Sequence, residues 1–175
     1  SGENIVNIIR KSVNMTSNCK LWNLLYGGNV SDANVLFDTI IISMAKREYV
    51  EANKRWLEEK AKEEGVMPLP RGIYYKVLKQ GDPKGAQPNK RSIVTAHYTG
   101  WTVNGKKFDS SRSGAPFACR LSDLIEGWIV AMQQMHVGDQ WKLYIPAEMG
   151  YGKFSQPGIP GGSTLIFEVE LLGVG

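Results

Sequence analysis

The chain has 175 residues, of which 42% are hydrophobic, and a formal net charge of +4 at pH 7. This length and apolar content are enough for a hydrophobic core and argue against an intrinsically disordered chain. The basic residues are scattered in singles and pairs, which argues against a nucleic-acid-binding surface, and no apolar run approaches the length that crosses a membrane.

The first sixty-odd residues show the apolar spacing of helices. One helix is predicted over residues 5–13, and a second, short one over residues 21–25, before two consecutive glycines. A third helix is predicted to begin at Ser31, a candidate N-cap, and to run to Glu64, where a glycine follows.

The predicted long helix changes character along its length. Between Val35 and Met44 apolar residues face nearly all round the helix: Leu36, Phe37, Ile40, Ile41 and Ile42. A helix that is apolar on every side must be covered on every side. We therefore expect residues 1–64 to form a helical region that pairs with a second copy in a homodimer. An ordinary three-helix core and docking onto another protein stay open. The charged second half, from Lys46 to Glu64, is predicted to be an exposed stalk.

The pattern changes after residue 64. Residues 65–71 contain two prolines and have the composition of a linker. Apolar residues then alternate with polar ones at a period of two, which predicts strands with one buried face at residues 73–78, 141–145 and 165–171. Asn104-Gly105 is typical of a hairpin turn between two further strands.

One short helix fits into this second region. It is predicted from Ser122, which would cap it, to Met132. The fold class is therefore α+β, with an antiparallel sheet wrapped round one short helix in residues 65–175. The all-helical region of residues 1–64, with its long connecting helix, precedes it.

Aromatic residues recur in the second region without ordinary catalytic groups beside them. The set is Tyr98, Phe108, Phe117, Trp128, Tyr151 and Phe167. Neither His97 nor His136 has a serine, cysteine or carboxylate partner at a suggestive spacing, so we expect no hydrolase site, no metal site and no cofactor. A reaction that an apolar aromatic pocket can accelerate without acid, base or nucleophile is rotation about an X–Pro amide.

Several motifs in this region occur in a fixed order. They are VTAHYTG at residues 94–100, GKKFDSS at 105–111, PF at 116–117, LIEGW at 124–128, GYG at 150–152, PGIP at 157–160 and TLIFEVEL at 164–171. Together they resemble the FK506-binding-protein (FKBP) class of peptidyl-prolyl isomerases. The preceding residues 56–77 resemble the helix-to-domain junction of the bacterial, macrophage-infectivity-potentiator-like members, whose upstream helices form a dimerisation domain.

The resemblance implies a role for each matching residue. Trp128 would form the pocket floor under a proline ring, with walls from Tyr98, Phe108, Phe117, Leu124, Ile125 and Phe167. Tyr151 would donate a hydrogen bond to a substrate carbonyl, Ile125 would offer its backbone N–H, and Asp109 would orient groups at the rim. Ile159 is expected in the same cavity as a substrate-binding residue. The expected catalytic set is Tyr98, Phe108, Asp109, Trp128, Tyr151 and Phe167.

The resemblance further implies an isomerase that acts on proline-containing unfolded or nascent polypeptides, with chaperone character. A catalytically weak proline-peptide binding module, or a holdase, is the alternative. Macrolides such as FK506 or rapamycin are candidate ligands. The chain begins Ser-Gly and not with Met, so its compartment stays open, with a periplasmic or otherwise exported location favoured over a cytoplasmic one.

The sequence departs from the family pattern at several positions. Cys119 stands where an aromatic residue is usual after Pro-Phe, and Gln156 replaces a frequent histidine. The loop between Ser111 and Pro116 is a residue short and has no second arginine after Arg112, so a salt bridge to Asp109 either comes from Arg112 or is absent. These changes concern macrolide affinity more than activity. Cys119 and Cys19 have no metal-ligand spacing and are interpreted as single thiols, although a disulfide between them stays open.

Overall fold

In the computed structural model residues 30–175 are described, with side chains from residue 35 onward. The helices predicted at residues 5–13 and 21–25, and Cys19, lie outside the described residues. The helices and strands, in chain order, are α1 (Val30–Lys60), β1 (Val66–Leu69), β2 (Ile73–Lys79), β3 (Ile93–Thr102), β4 (Lys107–Ser110), β5 (Phe117–Arg120), α2 (Glu126–Met132), β6 (Gln140–Ile145) and β7 (Leu165–Val174).

The chain divides into two compact units, Ser1–Glu48 and Tyr49–Gly175. Helix α1 contributes residues to both of them. None of the helices in the described part of the chain is long and apolar enough to cross a membrane.

The second unit is built on a seven-stranded antiparallel sheet. Its strand order is β1-β2-β6-β7-β3-β4, and β5 pairs with β3 beside β4. Alternate residues of the strands point to one core, so that Val94 and Ala96 of β3 are fully buried together with Val169 and Leu171 of β7. Helix α2 packs onto the same core. The predicted α+β class and the three predicted strands are confirmed. The strands do not have a single buried face, because Tyr144 of β6 and Ile166 of β7, which lie opposite the core, are also buried.

Helix α2 begins later than predicted. A single 3-10 turn lies at Leu121–Asp123, and the α-helix starts at Glu126 with no side-chain cap. The hydroxyl of Ser122, the predicted cap, is bonded to the carboxylate of Asp123 instead. The backbone at Leu124 and Ile125 is extended, with ψ of 170° and 148°. Tertiary contacts of these two side chains therefore outweigh the local capping preference of the serine.

The predicted linker is a strand in the structure. Residues Val66–Leu69 pair with β2, from Val66 opposite Lys76 to Leu69 opposite Ile73. Pro68 lies within this strand. Because β1 is at the edge of the sheet, a proline without an N–H leaves no ladder partner unpaired.

The prediction of an exposed stalk is wrong for the last turns of α1. The helix ends at Lys60 and not at Glu64, and within the second unit Asn53 is 1% exposed and Leu57 8% exposed. Leu57 packs with Tyr144 and Ile166 on the outer face of the sheet. One side of this helix segment is therefore part of the second unit.

We expect Leu57→Ala to lower the free energy of unfolding of the full chain by about 2–4 kcal/mol, because it removes buried methyl groups between the helix and the sheet. Glu58→Ala, one residue further on an exposed side, is the control and should change it by less than about 0.5 kcal/mol. Denaturant unfolding measures both values. Equal effects of the two variants would contradict the docking of α1.

Candidate functional site

A pocket opens between α2 and the sheet in the second unit. It encloses about 510 Å³ including its open mouth. Its lining consists of Tyr98, Phe108, Asp109, Phe117, Leu124, Ile125, Trp128, Tyr151 and Phe167. Strands β3, β4, β5 and β7 supply the walls, and the extended residues before α2 bring Leu124 and Ile125 to the rim. Nine of the ten residues expected at the site therefore meet in one cavity.

Trp128 occupies the centre of the aromatic walls. It is 4% exposed, and its ring centroid lies 5.3 Å from those of Tyr98 and Phe167 and 6.2 Å from that of Phe117. All three contacts are edge-to-face, with interplanar angles of 81° to 89°. This is the preferred geometry of aromatic pairs and holds the rings in fixed orientations.

The indole N–H of Trp128 is buried and has no hydrogen-bond partner among the described residues. The contacts of Trp128 with its neighbours in the pocket are therefore made by the surface of its ring.

The mouth of the pocket carries two tyrosines and one carboxylate. The Tyr98 hydroxyl donates a 2.5 Å hydrogen bond to Oδ2 of Asp109, whose Oδ1 accepts the backbone N–H of Ser110 at 2.8 Å. Burial, followed by this hydrogen bond, raises the pKa of Tyr98 to about 12. Burial and the charge of Asp109 also raise the pKa of Tyr151. Both phenols are therefore neutral hydrogen-bond donors at physiological pH.

Ile125 presents a free backbone donor at the rim. Its carbonyl accepts from the backbone N–H groups of Trp128 and Ile129, whereas its own N–H makes no hydrogen bond within the described residues. No acceptor of the second unit is therefore hydrogen-bonded to the Ile125 N–H.

Ile159 is the one expected residue that does not line the pocket. It is 4% exposed and belongs to the hydrophobic core, and its backbone exchanges two hydrogen bonds of 2.9 Å with Gln156. The loop that contains both residues is closed on itself by this bridge. The Ile159 side chain therefore packs in the core and does not line the pocket. Its spacing from Tyr151 in the sequence does not distinguish these two positions.

Other residues singled out in the sequence lie outside the pocket. Arg112 pairs with Glu170 at 3.0 Å, so of the two alternatives for Asp109 the structure has the one without a bridge from Arg112. His97 Nδ1 lies 3.0 Å from the Ser111 hydroxyl. No group of metal-ligating side chains occurs in the part of the chain that the structure describes. Cys119 is a half-buried free thiol of β5.

Phe154 was not recognised from the sequence. It lies three residues after Tyr151 in the loop of residues 150–163, which we call the flap, and is 78% exposed. No sequence motif distinguishes an exposed phenylalanine from a buried one. The exposure of Phe154 is therefore evident only from the structure.

The close packing of the walls depends on Gly100 of β3. A Cβ at this position would lie 2.5 Å from Cζ of Phe108 and 2.8 Å from Cε1 of Phe167. We expect Gly100→Ala to displace both rings and to lower the free energy of unfolding by about 1–3 kcal/mol. Gly114→Ala, where a Cβ would meet nothing within 4 Å, is the control. Denaturant unfolding that shows no difference between the two variants would contradict this packing.

The Tyr98 phenol should titrate late. In the difference between the ultraviolet titrations of the wild type and Tyr98→Phe, we expect a midpoint near pH 12 and not at the ordinary 10. Because the pKa is raised in the folded state, its contribution to stability is complete below pH 10 and is lost as the pH rises towards 12. Asp109→Asn should lower the midpoint only in part, since burial is the larger cause. A wild-type midpoint at pH 10 would contradict the buried hydrogen bond.

Comparisons with known proteins agree on one family. The model of the FKBP-type peptidyl-prolyl cis-trans isomerase family matches residues 84–172. The chain is 42% identical over 122 residues to the FKBP-type peptidyl-prolyl cis-trans isomerase FkpA of Escherichia coli K12. The aligned residues cover 69% of this chain and 44% of that protein. It is 38% identical over 143 residues to Outer membrane protein MIP of Legionella longbeachae, across 75% of this chain and 60% of that one.

The fold agrees with these sequence matches. The crystal structure of Escherichia coli FkpA superposes with a TM-score of 0.69 at 27% identity, over 99% of this chain and 98% of that one. The chain spans about half the length of the bacterial relatives that it matches in sequence. With the family motifs in order and the pocket between α2 and the sheet, the chain belongs to the FKBP-type peptidyl-prolyl cis-trans isomerases.

Proposed function

We propose that this chain is a peptidyl-prolyl cis-trans isomerase that accelerates rotation about X–Pro bonds during protein folding. The observation that carries the proposal is the pocket itself, in which the Trp128 floor is surrounded edge-to-face by Tyr98, Phe117 and Phe167. The family match supports it. The substrate would be a proline-containing segment of an unfolded or nascent polypeptide.

The chemistry requires no transferred proton. Rotation about an amide is opposed by a barrier of about 18–20 kcal/mol, because the nitrogen lone pair is delocalised into the carbonyl. Twisting the bond removes that delocalisation and reduces the dipole of the carbonyl. A pocket that is apolar, and that holds the twisted form better than the planar one, lowers the barrier. Uncatalysed isomerisation takes tens to hundreds of seconds, which is slow enough to delay folding.

Each lining residue has a place in this mechanism. The proline ring would lie on the ring of Trp128, which is 4% exposed and would offer the substrate an apolar contact surface. Tyr151, 36% exposed and kept neutral by its raised pKa, would donate to a carbonyl of the substrate. The unpaired N–H of Ile125 would hold a second carbonyl. Asp109 would act through Tyr98, because its carboxylate accepts a hydrogen bond from the Tyr98 hydroxyl.

A protease-coupled assay on a proline peptide tests the mechanism. We expect Trp128→Ala to lower kcat/KM by roughly 10–100-fold, since each 1.4 kcal/mol of lost transition-state binding is about tenfold in rate. Asp109→Asn should lower it by less than about fivefold, because the carboxylate orients a neighbour and transfers no proton. Circular dichroism verifies that both variants fold. A pH–rate profile that follows a carboxylate pKa, with Asp109→Asn inactive, would contradict the mechanism.

A second candidate function, holdase binding of unfolded segments, is favoured by Phe154. This side chain is 78% exposed on the flap, close in sequence to the pocket residue Tyr151. Transferring an exposed apolar side chain out of water is favourable by about 25 cal/mol per Å². An unfolded partner could therefore gain binding energy beside the pocket as well as inside it.

We expect Phe154→Ser to weaken the suppression of aggregation of a denatured protein while it leaves kcat/KM on a short peptide within about twofold. Light scattering follows the aggregation. Leu172→Ser, which replaces a 39% exposed apolar residue of β7, is the matched control and should change neither quantity. If both variants suppress aggregation as well as the wild type, the holdase role of Phe154 is wrong.

We further propose that the full chain is a homodimer. In the first unit Val35 is 66% exposed, Ile40 47%, Ile42 54% and Met44 57%. Exposed apolar side chains in one short segment favour burial against another surface, at about 25 cal/mol per Å². A second copy of the same segment is the simplest surface, although a different protein partner would also satisfy it.

Light scattering should give twice the 19.5 kDa of one chain at micromolar concentration. Ile40→Glu should shift the protein towards the monomer, because a charge at this exposed apolar position cannot be buried without a partner. Lys46→Glu, on the same helix, also introduces a carboxylate and is the control. A monomer for the wild type across the micromolar range would contradict the assembly and leave the isomerase proposal unaffected.

Location and drug binding are proposed from similarity. The likeness to a relative named as an outer membrane protein supports a site of action outside the cytoplasm. Macrolides such as FK506 or rapamycin are proposed as ligands of the aromatic pocket. Cys119, whose departure from the family pattern bears on this affinity, does not line the cavity.

A further inference from the structure

The flap is a loop with two limbs that are fastened to each other. It leaves the pocket after Tyr151 and returns to the start of β7. The backbone N–H of Gly162 donates to the carbonyl of Gly152 at 2.8 Å, and the N–H of Gly161 donates to the Ser155 hydroxyl at 3.0 Å. The returning limb thus fixes the residue that directly follows Tyr151.

Helix α1 is bonded to Thr164, the residue that directly follows the flap. The backbone N–H of Thr164 donates to Oδ1 of Asn53 at 2.9 Å, and the Thr164 hydroxyl donates to the Asn53 carbonyl at 3.3 Å. The amide group of Asn53 also donates to the carbonyl of Tyr49 at 2.9 Å. Asn53 is 1% exposed and Thr164 2% exposed, so water cannot replace these bonds.

Two further contacts join the same elements. The Tyr49 hydroxyl and the Ser163 hydroxyl lie 2.7 Å apart. At Gly162, where φ is +80°, a Cβ would clash with Cγ2 of Val50. The helix is therefore seated directly on the backbone of the limb, with no space for a side chain between them.

We propose that Asn53 is a positioning residue for the pocket. Asn53 is hydrogen-bonded to Thr164, which directly follows the returning limb. In that limb Gly162 is hydrogen-bonded to Gly152, which is the residue next to Tyr151 in the chain. Without Asn53 the buried N–H of Thr164 would have no partner, and the limb would move to find one. Misplacing a substrate-binding group by about 1 Å can cost up to about a hundredfold in rate. This inference rests on the isomerase function proposed above and assigns a catalytic consequence to a helix outside the pocket.

Asn53→Ala in the full chain tests the inference with two measurements. We expect the amide hydrogen exchange of Gly162 and Thr164 to become at least about tenfold faster relative to the core amide of Val169. We expect kcat/KM on a proline peptide to fall by roughly tenfold. Tyr49→Phe removes only one hydroxyl and should give a smaller change, of about twofold to threefold, in the same direction.

Leu57→Ala is the matched control, because Leu57 lies one turn further along the same helix and packs on the sheet and not on the flap. It should lower stability without a selective increase in exchange at Gly162 and with kcat/KM within about twofold of the wild type. If Asn53→Ala and Leu57→Ala reduce kcat/KM equally, the helix acts through general stability and the inference is wrong.

The exchange measurement separates this inference from the proposed function. If the wild type catalyses no isomerisation, the proposed function fails, and selective acceleration at Gly162 and Thr164 together with a shifted Tyr151 amide resonance still supports the positional role of Asn53. If exchange at these amides is unchanged in Asn53→Ala, the positional role is wrong whatever the activity of the wild type.

Discussion

The pocket depends on the way in which Trp128 is held. Its indole is almost fully buried and meets three rings edge-to-face, and its N–H has no hydrogen-bond partner in the described part of the chain. Edge-to-face contact fixes orientation as well as distance, so each ring limits the others. The ring of Trp128 is therefore held in one orientation at the wall of the cavity. Gly100 contributes to the same packing, because the absence of a Cβ leaves space for the rings of Phe108 and Phe167.

The polar groups at the mouth follow from this apolar interior. Burial is the main reason for the raised pKa of both Tyr98 and Tyr151, and the charge of Asp109 acts in the same direction. The carboxylate therefore adds to burial in favouring the protonated form of both phenols. A site with neutral donors and an apolar floor is suited to a reaction whose transition state loses polarity. It offers little to a reaction that must create a charge.

Much of the fold could be predicted from the sequence, and the failures share a cause. Strands β2, β6 and β7 were predictable because residues that share a strand face recur in the sequence at a period of two. The packing of the α1 turns after Tyr49 was not, because the residue that is most buried there is Asn53, and a polar side chain does not appear in a hydrophobic pattern. Nine pocket residues followed from the family motifs, whereas the lining of the cavity lacks Ile159, which packs in the same core as Trp128 and Phe167.

Apolar pattern and buried polar contacts thus specify different parts of this unit. The walls of the pocket need only apolar side chains of suitable shape on the correct face of the sheet. The flap has no regular ladder, so its position must come from directed bonds such as the one between Asn53 and Thr164. A hydrogen bond in a dry environment costs about 1–3 kcal/mol when one partner is left unpaired, which makes the position of the loop well defined. A long helix that supplies such a partner cannot be a simple spacer, because its register fixes where the loop beside the pocket lies.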